Sequence, residues 1–205
     1  MTDNELIRQV LAGETNAFSE LVERYQSKVY SLALRMCGSE DDAFDLAQDA
    51  FVRAWQSLGS YRFDAAFSSW LFRLTSNICI DYLRKKKRSK VISLTFEDDE
   101  GEEVQLELPD PDPTPEQALL RAEERAMLAE AMNALPVEAR QILTLRAIDA
   151  LSYEQIAEVM GLPEGTVKSR LSRAREQLRK KLLQIGNKTK TNPSNTPKGG
   201  LRNDL

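Results

Sequence analysis

Apolar positions recur at steps of three and four along nearly the whole chain, the period of an α-helix that buries one side. Leu21, Tyr25, Val29, Leu32 and Met36 form a first stripe. Ala43, Ala47, Ala50, Ala54 and Leu58 form a second, with Phe51 and Trp55 alongside, and Phe67, Trp70, Leu71, Leu74, Ile78 and Tyr82 a third. Gly38 followed by Ser39-Glu40-Asp41-Asp42 reads as a stop and then a start. Glycine tolerates the left-handed conformation that ends a helix, and a serine cap with acids in the first turn suits the helix dipole. Residues 1–88 are therefore expected to form a compact helical bundle. The pattern breaks from Ser89 to Glu116, where acids cluster with Pro109, Pro111, Pro113 and Pro115, a composition that favours an extended linker. Helical spacing resumes with Thr114 as a cap and Leu119, Ala122, Ala126, Leu128, Ala131 and Leu135 on one stripe. Pro136 then opens a helix containing Ile142, Leu143 and Leu145. After Ile185 the chain is too polar to bury anything and is expected to be disordered. The expectation is an all-α chain of two small helical domains, 1–88 and 116–185, joined by an acidic linker at 89–115 and ending in a tail at 186–205. No internal repeat is evident.

The stretch from Ser152 to Arg175 is the most specific in the chain. Ser152 and Gln155 form a capping box, in which a hydroxyl and an amide three residues on satisfy free N–H groups at a helix start. Ile156, Ala157, Val159 and Met160 supply an apolar side, Gly161 ends that helix, and Pro163 belongs in the first turn of the next. In the second helix Val167, Leu171, Ala174 and Leu178 share one stripe. Gly165, Ser169, Ser172 and Arg173 then point the opposite way, flanked by Lys168 and Arg175 on one side and Thr166 and Arg170 on the other. Small hydrogen-bonding groups at the centre with cations around them suit a DNA major groove whose phosphates are met at the edges. This is the layout of a helix-turn-helix.

At 205 residues and 41% hydrophobic content, the chain can build one large or two small cores. It has no histidine, and Cys37 and Cys79 supply neither a disulfide framework nor a metal ligand set; both fall in apolar helical patterns and are expected in cores. No cofactor is expected. The N-terminus lacks the blocks of a signal peptide and no apolar run approaches the roughly 20 residues of a membrane span, which points to a cytoplasmic protein without membrane insertion. The net charge of −4 conceals a partition: residues 1–88 are neutral, 89–116 carry −9 and 117–205 carry +5. Nucleic acid responds to the local field within about 10 Å, so the basic ends decide.

From Tyr61 to Arg88 aromatics and cations interleave, as in proteins that grip single-stranded nucleic acid with rings for bases and a basic track for phosphates. Helical spacing assigns Phe67, Trp70, Leu71 and Leu74 to the core. That leaves Tyr61, Arg62, Phe63, Asn77, Asp81 and the basic run beginning Arg84-Lys85 as candidates, with Asn77, Asp81 and Arg84 on one polar helix face.

The order of an aromatic and basic bundle, an acidic linker and a helix-turn-helix resembles the extracytoplasmic-function (ECF) group of bacterial sigma factors, within the sigma-70 family. The resemblance covers about residues 5–185. It is carried by Ala-Phe-Ser-Glu-Leu-Val-Glu-Arg-Tyr from Ala17, Asp-Ala-Phe-Asp-Leu-Ala-Gln-Asp-Ala-Phe-Val-Arg-Ala-Trp from Asp42, Ser-Ser-Trp-Leu-Phe-Arg-Leu-Thr-Ser-Asn-Ile-Cys-Ile-Asp-Tyr-Leu-Arg from Ser68, Leu-Pro-Val-Glu-Ala-Arg-Gln-Ile-Leu from Leu135, and the helix-turn-helix. The polar tail and the rich acidity of the linker depart from it. The resemblance implies a transcription initiation factor that binds core RNA polymerase and promoter DNA, both duplex and single-stranded. Asp42, Asp45, Gln48, Asp49, Val52 and Arg53 would dock on the polymerase clamp helices. The loop from Ser60 to Ala66, with Tyr61, Arg62, Phe63 and Asp64, would accept a base flipped from the minus-10 element above Asn77 and Asp81, beside Arg84 and Lys85. Thr166, Lys168, Ser169, Arg170, Ser172 and Arg173 would meet the minus-35 duplex. The linker would thread the RNA path of polymerase, and an anti-sigma factor is an expected partner. A free-standing helix-turn-helix regulator explains the second domain but not residues 61–88. An enzyme is disfavoured, since neither a metal cluster, a glycine-rich phosphate loop nor an activated nucleophile is present.

Overall fold

The computed structural model describes residues 1–92, 115–148 and 151–190, and every regular element among them is helical. The linker proper, its Thr114 cap and the tail from residue 191 lie outside the described residues.

Helix α1 (Asp3–Leu11) starts at a capping box: the Thr2 hydroxyl accepts from the Glu5 amide at 3.3 Å, and the Thr2 amide donates to the Glu5 carboxylate at 2.7 Å. Leu6 and Ile7 are fully buried, worth about 1.5–3 kcal/mol each. Helix α2 (Ala17–Cys37) holds α1 through Arg24, which pairs with Asp3 at 3.0 Å and also with Glu20, and through the Tyr25 hydroxyl, which donates to Asp3. Gly38 closes α2 at φ +74°, in the left-handed region, and the Ser39 hydroxyl then accepts from the Asp42 amide to start α3 (Glu40–Ser57). A 3-10 turn at Leu58–Ser60 leads into a loop and then α4 (Phe67–Ile92). Helices α2, α3 and α4 pack around one core in which Leu21, Leu32, Met36, Ala50, Leu71 and Phe72 are sealed. Cys79 lies inside it, where burial pushes its thiol up to about 12; Cys37 is half-buried.

The second domain comprises α5 (Pro115–Asn133), α6 (Val137–Ala147), α7 (Tyr153–Met160) and α8 (Glu164–Lys190). Two boundaries differ from the sequence expectation. Helix α4 continues to Ile92 rather than stopping at 88, and α8 runs to Lys190 rather than ending at Ile185, so residues 186–190 are helical. Neither stretch contains a proline, and Gly186 alone costs only about 1 kcal/mol relative to alanine, too little to end a long helix.

The domains touch. Helices α6 and α7 pack against α2 and α4, and the turn between α5 and α6 seats on the end of α2. There the buried Arg140 donates to the carbonyls of Met36 and Asn133, each at 2.6 Å. The Asn133 amide lies so close to Gly38 that a Cβ on that glycine would fall 2.7 Å from it.

Candidate nucleic-acid interface

The helix-turn-helix forms as its punctuation dictates. The Ser152 hydroxyl accepts from the Gln155 amide at 3.1 Å and the Gln155 side chain accepts from the Ser152 amide at 2.9 Å. Gly161 ends α7 at φ +64°, and α8 begins just after Pro163. Val167, Leu171 and Ala174 are buried and Leu178 half-buried, which leaves Lys168, Ser169, Arg170, Ser172, Arg173 and Arg175 exposed. Thr166 is half-buried, and its carbonyl accepts the Ser169 hydroxyl at 3.0 Å. Lys168 is already engaged: its ammonium meets Glu164 at 2.8 Å and sits 5.6 Å from the Tyr153 ring centre, and the bond to Glu164 raises its pKa. Arg179 is likewise paired with Glu176 at 2.8 Å. Arg170, Arg173 and Arg175 make no ion pair among the described residues, so their guanidinium groups are available to DNA.

In the first domain the loop after the 3-10 turn is built around Tyr61. The sequence reading offered this residue to nucleic acid; the structure places its side chain inside the loop. The residue is 5% exposed, its ring tilted against Phe63 and Trp70 and edge-on to Phe67, at centroid distances of 4.8, 5.6 and 5.9 Å. Its hydroxyl donates to the Ala65 carbonyl at 2.6 Å, closing the loop, and has Asn4 Oδ1 3.4 Å away. Burial raises its pKa, and the nearby carboxylates of Asp3, Asp64 and Glu158 add to the shift. Tyr61 is thus the floor of the loop. Phe63, half-buried above it, adopts φ +59°, a conformation aromatic side chains rarely accept. Arg62 and Asp64 are exposed at the rim.

Trp70, under the loop, is half-buried, and Asn77 lies two turns further along the same side of α4, exposed. Asp81 and Arg84 continue that exposed face as a pair 3.7 Å apart, with Lys85 exposed beyond them. The loop and the polar face of α4 form one surface. The sequence reading placed Trp70 in the core and did not find α1, although Thr2-x-x-Glu5 ahead of Leu6, Ile7 and Val10 is a helix-start signal.

A third surface runs along α3. Phe44, Val52 and Trp55 are 58%, 53% and 42% exposed, and with Asp45 and Gln48 they share one side. Trp55 leans edge-on against Phe18 at 5.1 Å. Asp49 and Arg53 pair at 2.8 Å beside this stripe. Asp42, also expected on the docking surface, is engaged within the first domain. It is half-buried, and its carboxylate takes the Lys86 ammonium at 2.9 Å, tying α3 to α4. Burial pushes the Asp42 pKa up, but hydrogen bonds from Tyr82 and Lys86 outweigh that and hold it below the ordinary aspartate value. Phe44 and Trp55 were not singled out because isolated apolar residues in a helical pattern read as core.

These features define a two-domain helical protein with an exposed, cation-rich helix-turn-helix on one domain and a basic, aromatic surface on the other. The sigma-70 region 2 family model matches residues 21–89 and the sigma-70 region 4 model residues 125–178. The chain is 36% identical to the ECF RNA polymerase sigma factor SigW of Bacillus subtilis, over 87% of this chain and 96% of that one. It is 39% identical to the ECF RNA polymerase sigma-E factor of Escherichia coli K12, over 90% and 96% respectively. Its fold resembles that of CnrH, solved with the cytosolic domain of CnrY, at TM-score 0.62 and 28% identity over 89% of this chain and 97% of that one. It also resembles the sigma factor RpoE of Bartonella quintana, solved with the anti-sigma factor NepR, at TM-score 0.62 and 26% identity over 82% and 97%. The chain belongs to the sigma-70 family, as an ECF sigma factor. A free-standing regulator is not favoured, because its first domain would have no reason to match region 2.

Proposed function

We propose that this chain initiates transcription by carrying core RNA polymerase to promoters, with α8 reading the minus-35 duplex and the 60–66 loop and α4 holding the melted minus-10 strand. One observation supports this most: two exposed basic surfaces of different character lie on separate domains, joined by a segment of net charge −9 that would repel DNA by itself. The α3 stripe of Phe44, Gln48, Val52 and Trp55, with Asp45, Asp49 and Arg53 around it, is the polymerase-docking surface. An anti-sigma factor is the expected partner, as in the complex of the Bartonella quintana sigma factor RpoE with the anti-sigma factor NepR. The chain works as a cytoplasmic binding protein without catalysis or cofactor of its own. Among the described residues no helix is long and apolar enough to cross a membrane.

Run-off transcription on genomic fragments tests this directly. Core polymerase plus this protein should yield discrete transcripts that neither component gives alone. Tight sequence-specific binding by the isolated chain, with no transcript, would overturn the reading.

A further inference from the structure

Helix α1 precedes the segment matched by the region 2 model, yet it forms one wall of the strand-capturing loop. Asn4 and Arg8, one turn apart, both face that loop: Asn4 lies against the Tyr61 hydroxyl, and the Arg8 guanidinium sits 5.5 Å from the centre of the Phe63 ring. A cation over an aromatic face is held by the ring quadrupole for about 0.5–1 kcal/mol at an exposed site. This arrangement fixes where the charge is without neutralising it. Arg8 is exposed and makes no ion pair among the described residues. The acids on its own helix have other partners: Glu5 caps Thr2 and feels Arg8 only through a minor long-range attraction, and Asp3 pairs with Arg24 and bonds Tyr25. An open guanidinium held in place at the rim of a single-strand site is the arrangement that meets a phosphate.

We propose that Arg8 is a DNA-binding residue: its guanidinium, seated on Phe63, contacts a backbone phosphate of the melted minus-10 strand beside the captured base. This makes α1 part of the promoter-melting surface, and it rests on the reading of the 60–66 loop as the strand-capturing site. Phe63 then has two jobs. It faces the base site and it positions the cation, which gives its strained backbone a purpose.

The test measures holoenzyme binding to a forked template, with duplex minus-35 and single-stranded minus-10 segments from a promoter selected by run-off transcription, between 50 and 200 mM salt. Each phosphate contact to a single strand contributes about 0.7 to the slope of log affinity against log salt. Arg8→Ala should lower that slope by about this amount, so the advantage of the wild type narrows roughly threefold across the range. Arg8→Lys, which keeps the charge, should retain the wild-type slope. Parallel lines for wild type and Arg8→Ala would overturn the proposal, whatever the variant does to thermal stability, because a structural role does not alter the number of ions released. Failure of Arg8→Lys to restore the slope would overturn it as well. Phe63→Ala checks the underlying reading separately: if it binds the fork normally, the loop is not the capture site, independently of the Arg8 result.

Discussion

Phe63 occupies a backbone region that costs of order 1–3 kcal/mol for a residue with a side chain, and it persists because Tyr61 and Arg8 hold its ring from two sides. Such strain is spent where a loop must present one shape. If that shape receives a flipped base, Phe63→Ala combined with Asn77→Ala should leave polymerase binding and minus-35 recognition intact while blocking strand opening. Permanganate reactivity of promoter thymines would report the block, and a premelted bubble template should recover part of the run-off yield because the unpairing cost is already met. Normal opening would remove the pocket. On α8 the ion pairs separate two arginines that look alike in the sequence. Arg173→Ala should cost about 1–3 kcal/mol in promoter use and relax preference at one minus-35 position, since its guanidinium is free for a base edge. Arg179→Ala, already paired with Glu176, should give at most a uniform, salt-sensitive loss. Competition among promoter variants distinguishes the two; equal losses on all sequences from both would mean the reading face is misassigned.

At the scale of elements, α3 separates its two duties by face. Val52→Asp should weaken capture of core polymerase while leaving the melting temperature of the free protein nearly unchanged, because the side chain is exposed and touches nothing the fold needs. Asp42→Asn should do the reverse, leaving capture intact and loosening α3 from α4. The pH dependence of that loosening has a definite sign. The folded-state pKa of Asp42 is depressed, so its contribution is fully present above the ordinary aspartate value of about 3.9 and is lost as pH falls through the lower folded value. The difference in melting temperature between wild type and Asp42→Asn should therefore be constant from pH 7 to about 5 and close below about 4. A gap that persisted at pH 2 would show that the stability difference is not electrostatic.

At the scale of the molecule, the domain contact rests on a buried charge without a carboxylate. Burial lowers the Arg140 pKa from its ordinary value, yet an arginine stays protonated near neutrality, so the charge is carried by the carbonyls at the end of α2 and the end of α5. The C-terminal pole of α2 favours a cation there. In this arrangement α7 lies on α4 and α8 lies on α7, so the helix-turn-helix rests directly on the first domain. With each domain on its own promoter element, as proposed above, the domains are expected to part on binding. Arg140→Ala should shift the free protein toward the open form, seen as a larger radius of gyration in solution scattering with helix content unchanged. An unchanged radius would mean the apolar contacts of α6 and α7 hold the domains without it.

The sequence by itself determined most of the helical elements, α1 excepted, because their signals are local. Gly38 with Ser39, the Ser152–Gln155 box and Gly161 each specify a stop or start within four residues, and the structure shows all of them formed. The stripe of Val167, Leu171 and Ala174 fixed which side of α8 faces outward for the same reason: a helix has one period, and burying that stripe leaves the polar residues exposed. Periodicity could not say how much of a stripe would be covered. Trp55 and Trp70 repeat like core residues, yet remain partly open, whereas Tyr61, in a loop without a period, is buried against α1 and α4. Long-range partners were equally out of reach: Lys86 lies 44 residues from Asp42 and Met36 lies 104 residues from Arg140, separations at which local pattern carries no information about pairing. Which charges are free to meet DNA, and which are spent within the protein, was therefore decided by tertiary structure alone, because an ion pair is fixed by which side chains the packing of helices brings within reach.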